Sequence, residues 1–203
     1  MLEDLILEYP GKGWNFTYLS SNPNISLHFI LTHQHRFKWD WEKITERFSK
    51  NDFQLVFENL DLPWDFSYVS QFIQDLSKID MFPDIPWDYH SLCYNDNVTT
   101  TFIDDHCDQP WDWYCLSRFM HCPIEFIDKY KHKDLDFDKL SQVVSPFLIE
   151  KYPNIPWTLR GISLNPKISY DYVKENIDKI NFRNLSKNEL NYHYSLEEKF
   201  VAR

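Results

Sequence analysis

Cysteine and histidine side chains, the commonest zinc ligands in proteins, are concentrated in one stretch of this 203-residue chain. The group comprises Cys93, Cys107, Cys115, Cys122, His90, His106 and His121. The stretch has no Cys-x-x-Cys pair, Cys93 takes a place held in related segments by serine, and Cys122 takes one held by isoleucine or valine. Because a free cysteine packs as a small apolar residue, these substitutions favour buried thiols. We therefore predict no metal site; the alternative is a metal-binding module around Cys93–Cys122.

Serine hydroxyls, which serve as nucleophiles in many enzymes, recur here at one place in a repeated pattern. They belong to Ser20, Ser70, Ser117, Ser141, Ser163 and Ser186. A side chain repeated at one place is more simply explained by packing, since a small hydroxyl can bond a preceding carbonyl inside a helix. His33 and His35 lie in a connection, and the carboxylates lack a second group placed to shift a pKa. We predict no catalytic residue and a protein that is not an enzyme.

The repeated pattern is a seven-residue motif, seen most clearly in Trp111-Asp112-Trp113-Tyr114-Cys115-Leu116-Ser117. Its first position is large and apolar, the second is Asp, Asn or Thr, the third is mostly aromatic, the sixth is aliphatic and the seventh is small. Copies begin at Trp14, Trp39, Trp64, Trp87, Trp111, Leu135, Trp157 and Ile180. The spacing of 22–25 residues predicts a repeat array.

The second position identifies the start of a helix. It is held by Asn15, Asp40, Asp65, Asp88, Asp112, Asp136, Thr158 and Asn181. Each of these side chains can accept a hydrogen bond from the free N–H groups that open a helix. The first and sixth positions then fall where a hydrophobic staple pairs two apolar residues. The motif therefore predicts one capped short helix in each copy, with the tryptophans as core.

A second helix follows the first in the better-preserved copies. Ser26, Thr99 and Ser169 are its predicted caps, whereas Pro123 stands at the cap position of copy five. Residues 1–13 resemble a second helix without a first, so we expect them to cap one end of the array. Residues 191–203 form a polar tail that we expect to close the other.

These observations predict an all-α fold, an α-solenoid of about eight short helix-turn-helix repeats. One continuous domain would cover residues 1–203. Isolated helices shorter than about 12 to 15 residues are marginal in water, so stacking must supply the burial that each copy lacks.

The repeated Pro-Trp-Asp-Trp/Phe-x-x-Leu-Ser segment at 110–117, with Asn22-Pro23-Asn24-Ile25, resembles the tryptophan-rich tandem repeats of uncharacterised proteins from giant DNA viruses of the mimivirus type. The resemblance covers nearly the whole chain. It implies a viral origin and a helical repeat, and it carries no chemistry. Leu135 and Ile180 depart from it by replacing tryptophan.

Charge is unevenly distributed along the chain, whose net charge is −10. Residues 51–112 hold thirteen acidic groups and one basic group, Lys78. Several acids are explained as caps or turn residues, and a solvated surface is the alternative to a binding face. The acids that we predict to contact a partner are Asp75, Asp80, Asp84, Asp96, Asp104, Asp105 and Asp108. Such a block attracts basic groups and repels phosphate, which disfavours nucleic acid.

The sequence thus predicts a non-enzymatic scaffold for protein–protein interaction, with a partner that carries a basic surface and with no cofactor. The alternative is a structural component of a virion or viral factory. The start of the chain does not resemble a secretory leader, and no apolar run approaches the roughly 20 residues that cross a bilayer. We therefore expect an intracellular protein, in host cytoplasm or virion, that contacts no membrane; its oligomeric state is left open.

Overall fold

The computed structural model describes residues 1–49, 53–119 and 122–190 of the chain. In these ranges every regular element is helical, with sixteen α-helices, one 3-10 helix and no strand. The all-α prediction is confirmed. The tail predicted at 191–203 lies outside the described residues.

Helices of two kinds alternate along the chain. The first kind, which begins at the third motif position, comprises α2 (Phe16–Ser21), α4 (Trp41–Ser49), α6 (Phe66–Phe72), α8 (Tyr89–Leu92), α10 (Trp113–Phe119), α12 (Phe137–Val143), α14 (Leu159–Leu164) and α16 (Phe182–Leu185). The second kind comprises α1 (Leu2–Glu8), α3 (Leu27–Thr32), α5 (Gln54–Glu58), α7 (Ser77–Met81), α9 (Thr100–Asp105), α11 (Ile124–Tyr130), α13 (Pro146–Lys151) and α15 (Tyr170–Glu175). A 3-10 turn, Ile177–Lys179, follows α15.

The helices of the first kind begin at the predicted caps. All eight side chains at the second motif position accept a hydrogen bond from a backbone N–H two or three residues on, over 2.8–3.3 Å. The cap prediction is confirmed for each copy. These bonds satisfy N–H groups that the helix itself leaves open.

Caps of the second kind of helix are less regular. Ser26, Thr99 and Ser169 accept the predicted hydrogen bonds from the N–H groups three residues on. Pro123 precedes α11 without a side-chain cap, as its lack of a polar group requires. The side-chain caps of these helices were therefore predicted correctly at Ser26, Thr99 and Ser169, where a hydroxyl stands at the cap position.

Contacts between Cα atoms divide the chain into two compact units, unit 1 (Met1–Asn97) and unit 2 (Val98–Arg203). In unit 1, α2 packs on α4, α4 on α6, and α6 on α8. In unit 2, α10 packs on α12, α12 on α14, and α14 on α16. Helices of the first kind therefore lie side by side within each unit. One continuous domain over 1–203 stays a prediction.

The hydroxyl at the seventh motif position joins neighbouring copies within each unit. In every copy with a hydroxyl there except that of Ser70, it donates to a carbonyl of its own helix, as Ser141 Oγ does to Phe137 O over 2.6 Å. It also accepts the backbone N–H of the next copy's cap residue over 2.7–3.0 Å. The six pairs are Ser20–Asp40, Thr45–Asp65, Ser70–Asp88, Ser117–Asp136, Ser141–Thr158 and Ser163–Asn181. We call this pairing the hydroxyl link.

Tryptophan at the first motif position closes the end of the preceding helix. Its indole Nε1 donates to the carbonyl of the residue just after that helix, over 2.7–3.3 Å. The pairs are Trp14–Tyr9, Trp39–His33, Trp64–Asn59, Trp87–Phe82, Trp111–His106 and Trp157–Tyr152. Trp39, Trp64 and Trp111 are buried and the other three are half-buried. The ring thus contributes to the core while its N–H satisfies a carbonyl that the helix leaves open.

Candidate protein-binding surface

Four of the seven acids predicted to contact a partner lie in unit 1, and all four are exposed. Asp80 is on α7, Asp84 is in the turn after α7, and Asp96 is in the turn after α8. Asp75, between α6 and α7, accepts the Ser77 hydroxyl over 2.6 Å and its N–H over 3.1 Å. The hydroxyl bond lowers the pKa of Asp75, so its charge is firmly held at neutral pH.

The motif aspartates of unit 1 are occupied within the fold. Asp65 and Asp88 are half-buried and cap α6 and α8. Burial raises the pKa of Asp88, but hydrogen bonds from the Ser91 and Ser67 hydroxyls outweigh it, so the net pKa is lowered. These two carboxylates therefore have a structural role as helix caps. The negative charge on the surface of unit 1 comes mainly from its exposed acids.

The three predicted acids of unit 2 differ among themselves. Asp105 and Asp108 are exposed, whereas Asp104 is half-buried. Asp104 accepts the Tyr130 hydroxyl over 2.6 Å and pairs with Lys129 Nζ at 2.9 Å. The Tyr130 bond, with Lys129 beside it, lowers the pKa of Asp104. Asp104 is therefore engaged inside its own unit and is a poorer contact residue than Asp105 or Asp108.

A cleft of about 340 Å³ opens in unit 1 beside Asp75. Its walls include Phe53, Phe57, Tyr68, Phe72, Asp75 and Lys78. The Tyr68 and Phe72 rings lie 4.6 Å apart, centre to centre, and Phe72 is 48% exposed. Lys78 Nζ lies 5.6 Å above the Phe57 ring. An aromatic wall next to a carboxylate can hold the stem and head group of a lysine or arginine side chain.

Phe72 marks this cleft as a departure from the repeat. The ninth position, two residues beyond the motif, holds asparagine in several copies, and Asn95 and Asn165 there donate to carbonyls of the preceding copy. Asn95 Nδ2 reaches Ile73 O over 2.8 Å and Asn165 Nδ2 reaches Val144 O over 2.7 Å. Phe72 has no such group to offer and projects toward solvent. Our interpretation of the sequence missed the cleft, and comparison of this position among copies does not single it out, because Phe119 stands there in copy five.

The second opening in unit 1 is a shallower pocket of about 270 Å³ that includes Asp84. Leu60 and Met81 contribute to its walls and are 37% and 61% exposed. Two recesses of the same unit, one with mixed polar and aromatic walls and one mainly apolar, are therefore each lined in part by an exposed carboxylate. This combination of apolar and charged surface is typical of protein-binding sites.

The four thiols are free and differ in exposure: Cys93 and Cys115 are buried, Cys122 is half-buried and Cys107 is exposed. Cys93 Sγ lies 3.2 Å from Tyr89 O, the bond that the seventh-position hydroxyls make in other copies. Burial raises the pKa of Cys122 to about 11, which keeps the thiol protonated at neutral pH. Packing accounts for Cys93, as predicted, and for the low reactivity of Cys122.

The side chains considered as nucleophiles or bases have structural partners. Six of the seven seventh-position hydroxyls, all but Ser70, bond a carbonyl of their own helix. Six of the eight motif copies, including that of Ser70, use the hydroxyl in a link. The His33 ring lies 4.7 Å from the Phe29 ring, between it and Phe37. These contacts give the repeated residues a role in packing.

No model of a known protein family, no curated protein and no solved structure matches the chain. Within the three ranges that the structure describes, no helix is long and apolar enough to span a lipid bilayer.

Proposed function

We propose that this chain is a non-enzymatic α-solenoid of about eight helix-turn-helix copies that binds a basic segment of another protein on the surface of unit 1. We place it inside the cell, in host cytoplasm or virion, as a protein of a giant DNA virus. The observation that carries the binding proposal is the charge and shape of residues 53–97. They hold eight acids and one base, and two of the exposed acids, Asp75 and Asp84, line recesses that also have aromatic or aliphatic walls.

The division of labour between repeated and variable residues supports a scaffold. Caps, hydroxyl links and indole bonds occupy the motif residues, so contacts with a partner would fall to exposed residues that vary between copies. Stacked-repeat proteins commonly use such variable surface positions for binding. Asp75, Asp80, Asp84 and Asp96 are of this kind in unit 1.

A basic partner fits the acids better than a nucleic acid does. Exposed carboxylates raise the association rate of a cationic segment and oppose a phosphate backbone. In the cleft, Phe72 and Tyr68 would contact the aliphatic stem of a lysine or arginine whose head group faces Asp75. Lys78 over Phe57 is an internal example of a cation against the same aromatic wall.

The test compares two variants with the same change in net charge. The first replaces Asp80, Asp84 and Asp96 of unit 1 by asparagine. The second replaces Asp171, Glu175 and Asp178 of unit 2, which are also exposed, by their amides. Binding of a fluorescent lysine- and arginine-rich peptide is measured by anisotropy at several salt concentrations, after circular dichroism confirms that both variants fold.

We expect the unit 1 variant to bind roughly tenfold more weakly at low salt, since each exposed ion pair contributes up to about 1 kcal/mol. The unit 2 variant should bind like the original chain. If peptide binding weakened equally in both variants, net charge alone would explain the effect. That result would overturn the proposed site. Replacement of Phe72 by glutamine should weaken binding in the same assay without changing the charge.

A further inference from the structure

Neighbouring copies share two contacts inside unit 1, and among the described residues only the first of them recurs between the copies of unit 2. One is the hydroxyl link. The other joins the third-position ring to the next copy's tryptophan, as in Phe16 with Trp39 at 5.3 Å and Trp41 with Trp64 at 5.5 Å, centre to centre. Both pairs are edge-to-face, which is a favoured aromatic geometry. One copy therefore offers a ring and a hydroxyl acceptor, and the next offers an indole and an N–H donor.

At α16 the ring and the hydroxyl acceptor have no following copy to contact in the part of the chain that the structure describes. The Ser186 hydroxyl donates to Phe182 O over 2.7 Å, as in other copies, yet Ser186 is exposed. The equivalent hydroxyl-bearing residues of the earlier copies are at most 3% exposed. Phe182, at the third position, is 56% exposed. Among the described residues, the side of α16 that holds Ser186 is thus exposed, with an apolar ring beside a hydroxyl acceptor. Ser186 is the informative residue, because Leu159 at the third position is 52% exposed in a copy that does pack on the next.

At α1 and α2 the indole and the N–H donor have no preceding copy in the same described chain to contact. Leu5 of α1 is 46% exposed, while Phe29 of α3 and Tyr172 of α15, which likewise lie three residues before the last residue of their helices, are 6% and 7% exposed. Asn15 is exposed, and within the described ranges its backbone N–H donates to no acceptor. The side of α1 that holds Leu5 is therefore exposed, and within those ranges the Asn15 N–H lacks the acceptor that a preceding copy supplies to six other cap residues.

We propose that a second copy of this chain covers these surfaces, with α16 of one copy packing beside α1 and α2 of the next. Ser186 Oγ would accept the Asn15 N–H, and the Phe182 ring would pack on Trp14. The inference rests on the stacked arrangement proposed above. A second copy is the occupant that fits, because each surface supplies the groups that the other leaves open.

Charge complements this pairing. Helix α1 carries Glu3, Asp4 and Glu8 and no base; Glu3 accepts the Ser26 N–H and Asp4 pairs with the N-terminal amine, so the exposed Glu8 is the acid left for a partner. Residues 182–187 carry Arg183 and Lys187, both exposed, and no acid. Because the two surfaces differ, the contact is heterologous, so repetition gives open chains or a closed ring. Such self-association is the property expected of a structural component of a particle or factory.

The experiment uses the full chain and two blocking variants, Phe182→Asp and Leu5→Asp, each at an exposed position. Molar mass is measured by sedimentation velocity over a wide range of concentration, with circular dichroism as a check on folding. The original chain should grow in mass with concentration, and each variant alone should stay monomeric. An equimolar mixture of the two should form a dimer and nothing larger, since only one matching pair of surfaces remains.

Three results would overturn the proposal. A single variant that still dimerises would indicate a symmetric contact elsewhere. An original chain that stays monomeric at all concentrations would mean that residues 191–203 or a different protein covers these surfaces. A mixture that fails to dimerise would show that the two surfaces do not match. The control Met81→Asp, at a residue 61% exposed in unit 1, should assemble like the original chain.

Two further measurements separate this inference from the proposals beneath it. Ser186→Ala should weaken association roughly fivefold, the effect of one hydrogen bond of about average net strength; an unchanged dissociation constant would remove the proposed Asn15 contact. The Asp80, Asp84 and Asp96 variant should lose peptide binding and still assemble. If that variant lost assembly but kept peptide binding, the self-assembly inference would be contradicted and the proposed peptide-binding function would not.

Discussion

The Ser141 hydroxyl lies 3.0 Å from the backbone nitrogen of Thr158 and accepts its N–H. The same hydroxyl donates to Phe137 O, so a single oxygen ties α12 to the start of α14. Ser141 is fully buried. A buried N–H that loses its acceptor costs the free energy of its desolvation, which makes this oxygen more important to folding than its size implies.

Replacement of Ser141 by alanine should lower the free energy of unfolding by about 1 to 3 kcal/mol, because the Thr158 N–H is left without its acceptor. Urea denaturation followed by circular dichroism measures the change. Ser186→Ala is the matched control, since Ser186 makes the same bond within its helix but is exposed. We expect the control to stay within about 0.5 kcal/mol of the original chain at concentrations where it is monomeric. Equal losses would argue that the link between copies contributes nothing.

Replacement of Trp111 by alanine should lower the free energy of unfolding by about 3 to 5 kcal/mol, as for other large buried aromatics. Trp111 is 5% exposed, contacts Phe102 edge-on, and donates to His106 O over 2.9 Å. Trp111→Phe keeps part of the ring and loses the indole bond, so we expect an intermediate loss. Tyr18, 74% exposed, provides the control position for a change to alanine. An unchanged melting temperature for Trp111→Ala would contradict a core role.

Gly161 has no room for a side chain. A Cβ built there would lie 2.5 Å from Cβ of Ser141 and closer still to Asp138 O, since α14 approaches α12 at this residue. Gly161→Ala should therefore cost about 1 to 3 kcal/mol through forced displacement of α12 from α14. Gly13→Ala, with open space around it, should be neutral or slightly stabilising. Thermal unfolding of both variants measures the difference, and similar melting temperatures would refute the close approach.

Acid should destabilise the fold through its bonded carboxylates. The folded pKa of Asp75, Asp88 and Asp104 lies below the ordinary 3.8. Their contribution to stability is therefore complete above that value and is lost as the pH falls through the lower folded pKa. Asp88→Asn keeps a capping oxygen and removes one titrating group, so its free energy of unfolding should fall less between about pH 5 and pH 2. Chemical denaturation across this range tests the sign; a steeper fall in the variant would contradict it.

The local part of the fold follows from the sequence, and the contacts between copies do not. A side chain such as Asp65 or Asn181 at a helix start is most simply explained as an N-cap. The motif therefore predicted the caps and the all-α class. Ser70 was expected to bond a carbonyl of its own helix, but its role as acceptor for Asp88 depends on how two helices pack. The sequence pattern of a single copy does not give the distance at which neighbouring copies pack. For the same reason the indole bond of Trp64 to Asn59 was missed.

The binding surface was predictable in charge and not in shape. The exposed acids of unit 1 follow from composition and from the positions that the motif leaves free. The cleft beside Asp75 requires Phe53, just before α5, and Phe72, at the end of α6, to line one opening, which the sequence does not specify. Asp104 was predicted as a contact residue, yet its bonds to Tyr130 and Lys129 depend on residues about 25 positions away.

The most direct test of the stacked copies is amide hydrogen exchange of the eight cap residues, measured by NMR at a concentration where the chain is monomeric. The N–H groups of Asp40, Asp65, Asp88, Asp136, Thr158 and Asn181 donate in hydroxyl links. We predict that these six exchange slowly, at rates set by opening of the stack, whereas the Asn15 N–H exchanges near the rate of an unprotected amide. Exchange of the six at the rate of Asn15 would contradict the hydroxyl link and, with it, the proposed stack.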